Sequence, residues 1–234
     1  MQLTVHGIEV QVTKKNIKTL RLRVKPQKEV LVSAPLRIDD EAIKAFVAEN
    51  IDFVKDAIAK LEAQPRLRKR QYVSGETIYL WGKPYTLEFI YSDTVFRIGL
   101  HDKTMILSIP KTATTDQRAN LIKNSFRLEL KKEIANRLPK WEALTGLKCN
   151  SWQVRDMKTR WGTCNVVTKK IWFNLQLVSK PYECLDYIIL HELSHLVSRN
   201  HDETFYRHIE KYMPNWREYK QILKEREHDY ETDF

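Results

Sequence analysis

Between Tyr187 and Val197 the chain surrounds two histidines and a glutamate with apolar side chains, and any fold must accommodate that combination. Tyr187, Ile188, Ile189, Leu190, Leu193, Leu196 and Val197 make a helix here apolar almost all round, the mark of a buried helix. His191 and His195 stand one turn apart and project from one face, close enough to grip one metal ion. Glu192 lies about 100° further round, beside such an ion rather than on it. Imidazoles and a carboxylate in an apolar interior need a partner, and zinc satisfies all three. The spacing is the HExxH signature, in which the carboxylate takes a proton from metal-bound water. The rival reading, an amphipathic helix with two surface histidines, does not suit the apolar surroundings.

A catalytic zinc takes three protein ligands and keeps one open position, and His201 offers the third. A continued helix would carry His201 about 600° round and roughly 9 Å along the axis, onto the wrong face. The helix must therefore end between His195 and His201. Asn200 tolerates the left-handed conformation that lets a chain reverse. Asp202 then caps a helix bearing Phe205, Ile209 and Tyr212, which Pro214 interrupts, and residues 215–227 read as a last helix before an acidic tail. Asp202, Glu203, His208 and Glu210 remain rival ligands, and Glu210 is the one a two-His, one-Glu site would take.

With 234 residues the chain is long enough for one large domain or two small ones. No run approaches the ~20 apolar residues of a membrane span, so no membrane partner is expected, and the first residues show no signal peptide. Cys149, Cys164 and Cys184 are odd in number and lack CxxC spacing, which argues against a disulfide framework or a thiolate zinc site and fits a reducing cytoplasm. A formal net charge of +10 favours polyanions, a nucleic acid or nucleotide among them. The basic residues are spread along the chain, however, as solvated faces are.

The fold class expected is α+β. Alternating patterns predict strands over 3–12 (as a pair), 19–24 and 29–34, then one helix from Asp39 or Asp40 to about Pro65. The basic run 66–70 reads as an exposed connection. Strands follow near 77–81, 84–91, 94–100 and 104–109, with Gly82-Lys83-Pro84 as a turn. From Thr115 the period turns helical, Pro139 should kink or end that helix, and Gly146 stops what continues. Residues 151–156 and 169–174 predict two strands joined by 158–164, and Pro181 suits the first position of the histidine helix. The division expected is 1–112, β-rich with one long helix and no chemistry, and 113–234, carrying the metal-dependent hydrolase.

His191-Glu192-x-x-His195, Asn200-His201 and Phe205, with Arg160-Trp161-Gly162-Thr163-Cys164 upstream, resemble the YgjP-like metallopeptidases and, more distantly, the SprT and WLM proteases. In this group the upstream element reads RWGSC, and here Thr163 takes the Ser position. The resemblance implies a zincin-like hydrolase domain, Zn2+ as cofactor, His191, His195 and His201 as ligands, Glu192 as base and a peptide or protein substrate. It also suggests strand 170–174 as the sheet edge on which an extended peptide lies. The histidine spacing equals that of the metzincins, but Ser198 stands where they carry glycine, and membership of that group does not follow.

Arg160 carries two readings: a forked cation holding a substrate carboxylate or phosphate, or an internal pair beside a packed Trp161. Arg160 and Tyr206 are the candidates for holding an oxyanion. Peptide hydrolysis is the primary expectation. Hydrolysis of a nucleoside triphosphate such as UTP, a DNA-associated protease of SprT type, and a purely structural zinc protein are the rivals. Against nucleotide hydrolysis stands the lack of a phosphate-cradling glycine loop.

Overall fold

The computed structural model describes residues 1–25, 27–63, 68–93, 95–224 and 230–231. Packing divides the chain into two units, Met1–Leu67 and Arg68–Phe234.

In the first unit β1 (Gln2–Val5) and β2 (Ile8–Lys15) form a hairpin, β3 spans Arg21–Val24 and β4 spans Val30–Pro35. The sheet order is β1-β2-β4-β3, with β2 and β4 parallel and the outer pairs antiparallel. Alternation in β2 and β4 sends Val10, Val12, Val30, Val32 and Ala34 to one face, where Ile43, Val47 and Val54 cover them. Asp39 caps the following helix by accepting from the Ala42 amide at 2.7 Å. The single long helix expected here is two, α1 (Asp40–Glu49) and α2 (Ile51–Ala63), broken where Asn50 leaves helical geometry at φ −105° and ψ 19°. Its expected end at Pro65, and residues 66–67 of the basic run, lie outside the described residues.

The second unit opens with β5 (Arg68–Lys69), which pairs in parallel with β13 (Tyr230–Glu231). The rest of the acidic tail lies outside the described residues. β6 (Thr77–Leu80), β7 (Lys83–Tyr91), β8 (Arg97–His101) and β9 (Thr104–Ile109) make a sheet ordered β6-β7-β9-β8. Leu87, Met105, Leu107 and Ile109 share a core with Ile122, Phe126 and Leu130 of α3 (Thr115–Thr145). Packing thus divides the chain in the basic run, whereas the expected division at 112–113 marks where strands give way to helix.

A capping box starts α3: Gln117 donates its amide to the Thr114 hydroxyl at 3.2 Å and accepts from the Thr114 amide at 2.9 Å. Pro139 does not end this helix, which runs on to Gly146 at φ 73°. Burial of Ile122, Phe126, Leu130, Ile134 and Leu138 at four-residue spacing outweighs the one hydrogen bond that proline removes.

Beyond α3 lie β10 (Ser151–Arg155), β11 (Gly162–Asn165) and β12 (Lys170–Asn174). β12 is central, parallel to β10 and antiparallel to β11. Two corrections follow. The segment expected only to join two strands contributes a strand of its own, and residues 170–174 are the middle of the sheet. Within this sheet β11 is an edge.

A 3-10 turn over Leu175–Ser179 leads to α4 (Tyr182–Ser194), with α5 (Glu203–Tyr212) and α6 (Trp216–Lys224) after it. The β6–β7 turn is Trp81-Gly82, one residue earlier than expected. A Cβ on Gly82 would meet Pro181 Cγ at 2.9 Å, so only glycine lets this turn sit on the start of α4. Pro181 is the residue before the helix rather than its first. From α3, Arg137 and Trp141 donate to the Asp186 carboxylate at 2.6 and 2.9 Å and fix α4 along its length. No described helix is long and apolar enough to cross a membrane.

Candidate metal centre

α4 is buried on nearly every side: Leu185, Ile189, Leu190 and Leu193 are fully enclosed. Each such burial stabilises by roughly 1.5–3 kcal/mol, which sets the rotation of the helix and hence the direction of its polar residues. His191 and Glu192 lie in the last turn, and His195 is the residue on which the helix closes.

The chain then reverses without a left-handed residue. Asn200 is not among the residues with positive φ, contrary to expectation. Instead Leu196 and Val197 donate amides to the carbonyls of Leu193 and Ser194, each at 2.9 Å. The Ser198 hydroxyl bonds to the Asn200 carbonyl at 3.2 Å and the Asp202 carboxylate at 2.7 Å. Asp202 caps α5 through the Phe205 amide at 2.9 Å.

This turn brings His201 back over α4. The three imidazoles converge, with ligand atoms all within 4.8 Å of one another. Nε2 of His191 and Nε2 of His201 are 3.1 Å apart. Nδ1 of His195 faces the Ser198 carbonyl at 3.4 Å, a contact that as a donor leaves Nε2 free to bind. Behind them sits Phe205, fully buried, its ring centre 4.9, 4.8 and 4.7 Å from those of His191, His195 and His201. Burial, and after it the charges of His195 and His201, pushes the His191 pKa down to about 3, and burial lowers that of His195. Both rings are therefore held neutral, the form in which a histidine binds metal.

Glu192 is buried beside them at 3 % exposure. Burial pushes its carboxyl up to about 8, against the pull of the Arg160 guanidinium. Its Oε2, like Nδ1 of His191, is enclosed with no hydrogen-bond partner among the described residues. Gly162 of β11 crosses directly over this carboxylate, and a Cβ there would meet Glu192 Cγ at 2.8 Å and collide with Oε1. Only glycine leaves the carboxylate where it is, although Gly162 does not need glycine's backbone freedom.

Arg160 is exposed in the wall of the same cavity, which has a volume of about 880 Å3. Its side chain has no ion pair among the described residues, so the internal-pair reading is not what the structure holds. Trp161 packs inward and donates to the Leu223 carbonyl at 3.1 Å. Asn174 shapes the loop: its buried amide donates to the carbonyls of Met157 and Arg160, both at 2.7 Å. Tyr206 stacks on Trp216 at 5.1 Å and does not line the cavity.

The rival ligands are engaged elsewhere. Glu210 accepts from Arg217 at 2.8 and 3.1 Å, His208 bonds to the Ser194 hydroxyl at 2.9 Å, and Glu203 pairs with Arg207. Cys164 lines the cavity, but burial and then the charge of Glu192 push its thiol up to about 12, out of the reactive range. Sequence reasoning passed over Gly162, Asn174 and Phe205 as parts of the site. Only the Arg-Trp-Gly element and the position of Phe205 after His201 pointed near them.

The donor set fits a divalent ion: three imidazoles converge, and a carboxylate with an oxygen unpartnered among the described residues lies alongside. A family model described as YgjP-like, metallopeptidase domain, matches residues 18–226. The chain belongs to the YgjP-like metallopeptidase family. A peptide or protein substrate and a metal ion follow from membership of such a family. Among solved structures, this YgjP-like chain is similar to the metallopeptidase zymogen of Pyrococcus abyssi abylysin, at 20% identity and a TM-score of 0.37, over 42% of this chain and 99% of that one. It is also similar to the zymogen of Methanocaldococcus jannaschii jannalysin, at 23% identity and a TM-score of 0.35, over 39% and 93%. No curated protein matches it.

Proposed function

We propose that this protein is a zinc-dependent peptidase whose chemistry is carried by residues 113–234, with His191, His195 and His201 as ligands and Glu192 as general base. The observation that carries the reading is the enclosed Glu192 carboxylate, with one oxygen unpartnered among the described residues, beside three convergent imidazoles. Zinc held by His191, His195 and His201 would supply Lewis acidity there, able to polarise a carbonyl and acidify a water. Glu192, whose proton affinity burial raises and a bound dication would lower, takes the proton of the attacking water. It then hands that proton to the leaving amide nitrogen. Gly162 keeps the carboxylate in place by leaving room for it.

The substrate main chain is supported by β11. The Asn174 amide donates to the Trp161 carbonyl at 2.9 Å, which sets the phase of the β11–β12 ladder. In that phase the N–H and C=O groups of Gly162 and Cys164 point away from β12, offering the hydrogen bonds an extended peptide needs.

Purified protein should contain zinc by elemental analysis and cleave a casein or peptide-library substrate. Chelation should abolish cleavage and zinc restore it, and His201→Ala should lose the ion. Pyrophosphate release from UTP without peptide cleavage would replace this reading with nucleotide hydrolysis.

A further inference from the structure

Among the described residues lining the cavity, the one carboxylate is Glu192, whereas Arg160, Arg199, Lys220 and Lys224 bring four cations. None of the four has an ion-pair partner among the described residues. Some cations elsewhere in this unit do have a carboxylate partner: Arg217 has Glu210, Arg207 has Glu203 and Lys123 has Asp156. Within α6, Arg217 is paired, while Lys220 and Lys224, one turn apart on the cavity side, have no ion-pair partner among the described residues. Lys220 is also held in position, its ammonium 5.3 Å from the ring centre of Tyr206 and 5.1 Å from that of Trp216. Arg160 is presented by a loop that Asn174 ties down.

Like charges converging on a concave wall repel one another and focus a positive field into the space between them. An anion entering that space relieves the repulsion.

We propose that the cavity selects acidic peptides, with Asp or Glu side chains flanking the scissile bond received by Arg160, Arg199, Lys220 and Lys224. This rests on the peptidase reading above and names its substrate class. An extended acidic chain uses both the outward backbone groups of β11 and the cations that line the same cavity. A nucleotide uses only the cations, and the described residues hold no carboxylate cluster for its magnesium.

The test uses full-length E192Q and labelled peptides of one length whose flanking positions are Asp/Glu, Ser/Gln or Lys. The acidic peptide should bind about tenfold or more tighter than the neutral one in 0.1 M salt, with the gap closing as salt rises. A further R199E/K224E change, made at two exposed side chains with no described hydrogen bonds, should invert the order in favour of the Lys peptide while leaving the melting temperature unchanged. In the active enzyme the preference should appear in KM more than in kcat. Equal binding of acidic and neutral peptides would overturn the proposal even if both are cleaved. Selective binding with no cleavage by the wild type would sink the peptidase reading and leave acidic recognition standing. Tighter binding of UTP or a single-stranded oligonucleotide than of the acidic peptide would overturn it.

Discussion

The two units bury very different things. Among the described residues, every enclosed side chain in the core of residues 1–67 is apolar, from Val5 and Val10 through Ile43 to Val54. The second unit encloses Glu76, Asn174, Lys180, Glu192 and Ser194 as well. Most of these polar groups have evident local work. Glu76 pairs with Arg70 at 3.3 Å, Asn174 binds a loop, and Ser194 donates to the Leu190 carbonyl at 2.7 Å. Glu192 stands apart, since one of its oxygens is sealed without a partner. Burying a carboxylate that way costs free energy that an apolar residue would not, so the second core is shaped for chemistry at the expense of stability.

The largest expected effect is on that residue. Glu192→Gln should lower kcat/KM for peptides by ~10²–10⁴-fold, the range for losing a general base, while zinc content stays unchanged. Retained activity would remove Glu192 from the chemistry.

Phe205 and Ile43 compare the cores directly. Phe205→Ala should cost ~3–5 kcal/mol and weaken metal binding, because it empties the space behind three imidazoles. Ile43→Ala should cost ~2–5 kcal/mol in the first unit and leave metal affinity alone. Denaturant unfolding with zinc titration measures both, and equal metal affinity in the two variants would break the comparison.

Gly162→Ala should displace the Glu192 carboxylate and lower kcat by ~10²-fold with metal retained, the cost of a misplacement of about 1 Å. The pH–rate profile should shift with it, which a purely structural defect would not produce.

A further effect is on stability against pH in the metal-free protein. Glu192 has a folded pKa of about 8 against an ordinary 4.5, so the folded chain keeps a proton the unfolded chain releases. Stability from this group therefore falls as pH rises from about 4.5 to 8. His191, about 3 when folded against 6.5, acts oppositely, and its share of stability is lost as pH falls from about 6.5 to 3. Melting curves across this range should show the alkaline loss in wild type and not in Glu192→Gln, with the acid loss in both. Parallel curves above pH 5 would show that Glu192 is not buried as described.

What the sequence determined by itself is what repeats locally. The spacing of His191 and His195, the apolar surroundings of their helix, the Asp202 cap and the alternation of β2 and β4 depend on neighbours within a few residues, where backbone geometry is fixed. The sequence also required the helix to end before His201, since a continued helix carries that ring away. How the chain turned back was not legible: hydrogen bonds of Ser198 and successive tight turns did what Asn200 was expected to do. Nor did local pattern show that α3 runs through Pro139 or that the first helix breaks at Asn50, because packing outweighs propensity at both.

Only the tertiary structure made β11 an edge, laid Gly162 across Glu192, put Phe205 behind three rings and gathered Arg160, Arg199, Lys220 and Lys224 around one cavity. Most of these groupings join residues far apart in sequence. Contacts between them are set by how helices and strands pack, and no periodicity along the chain records that.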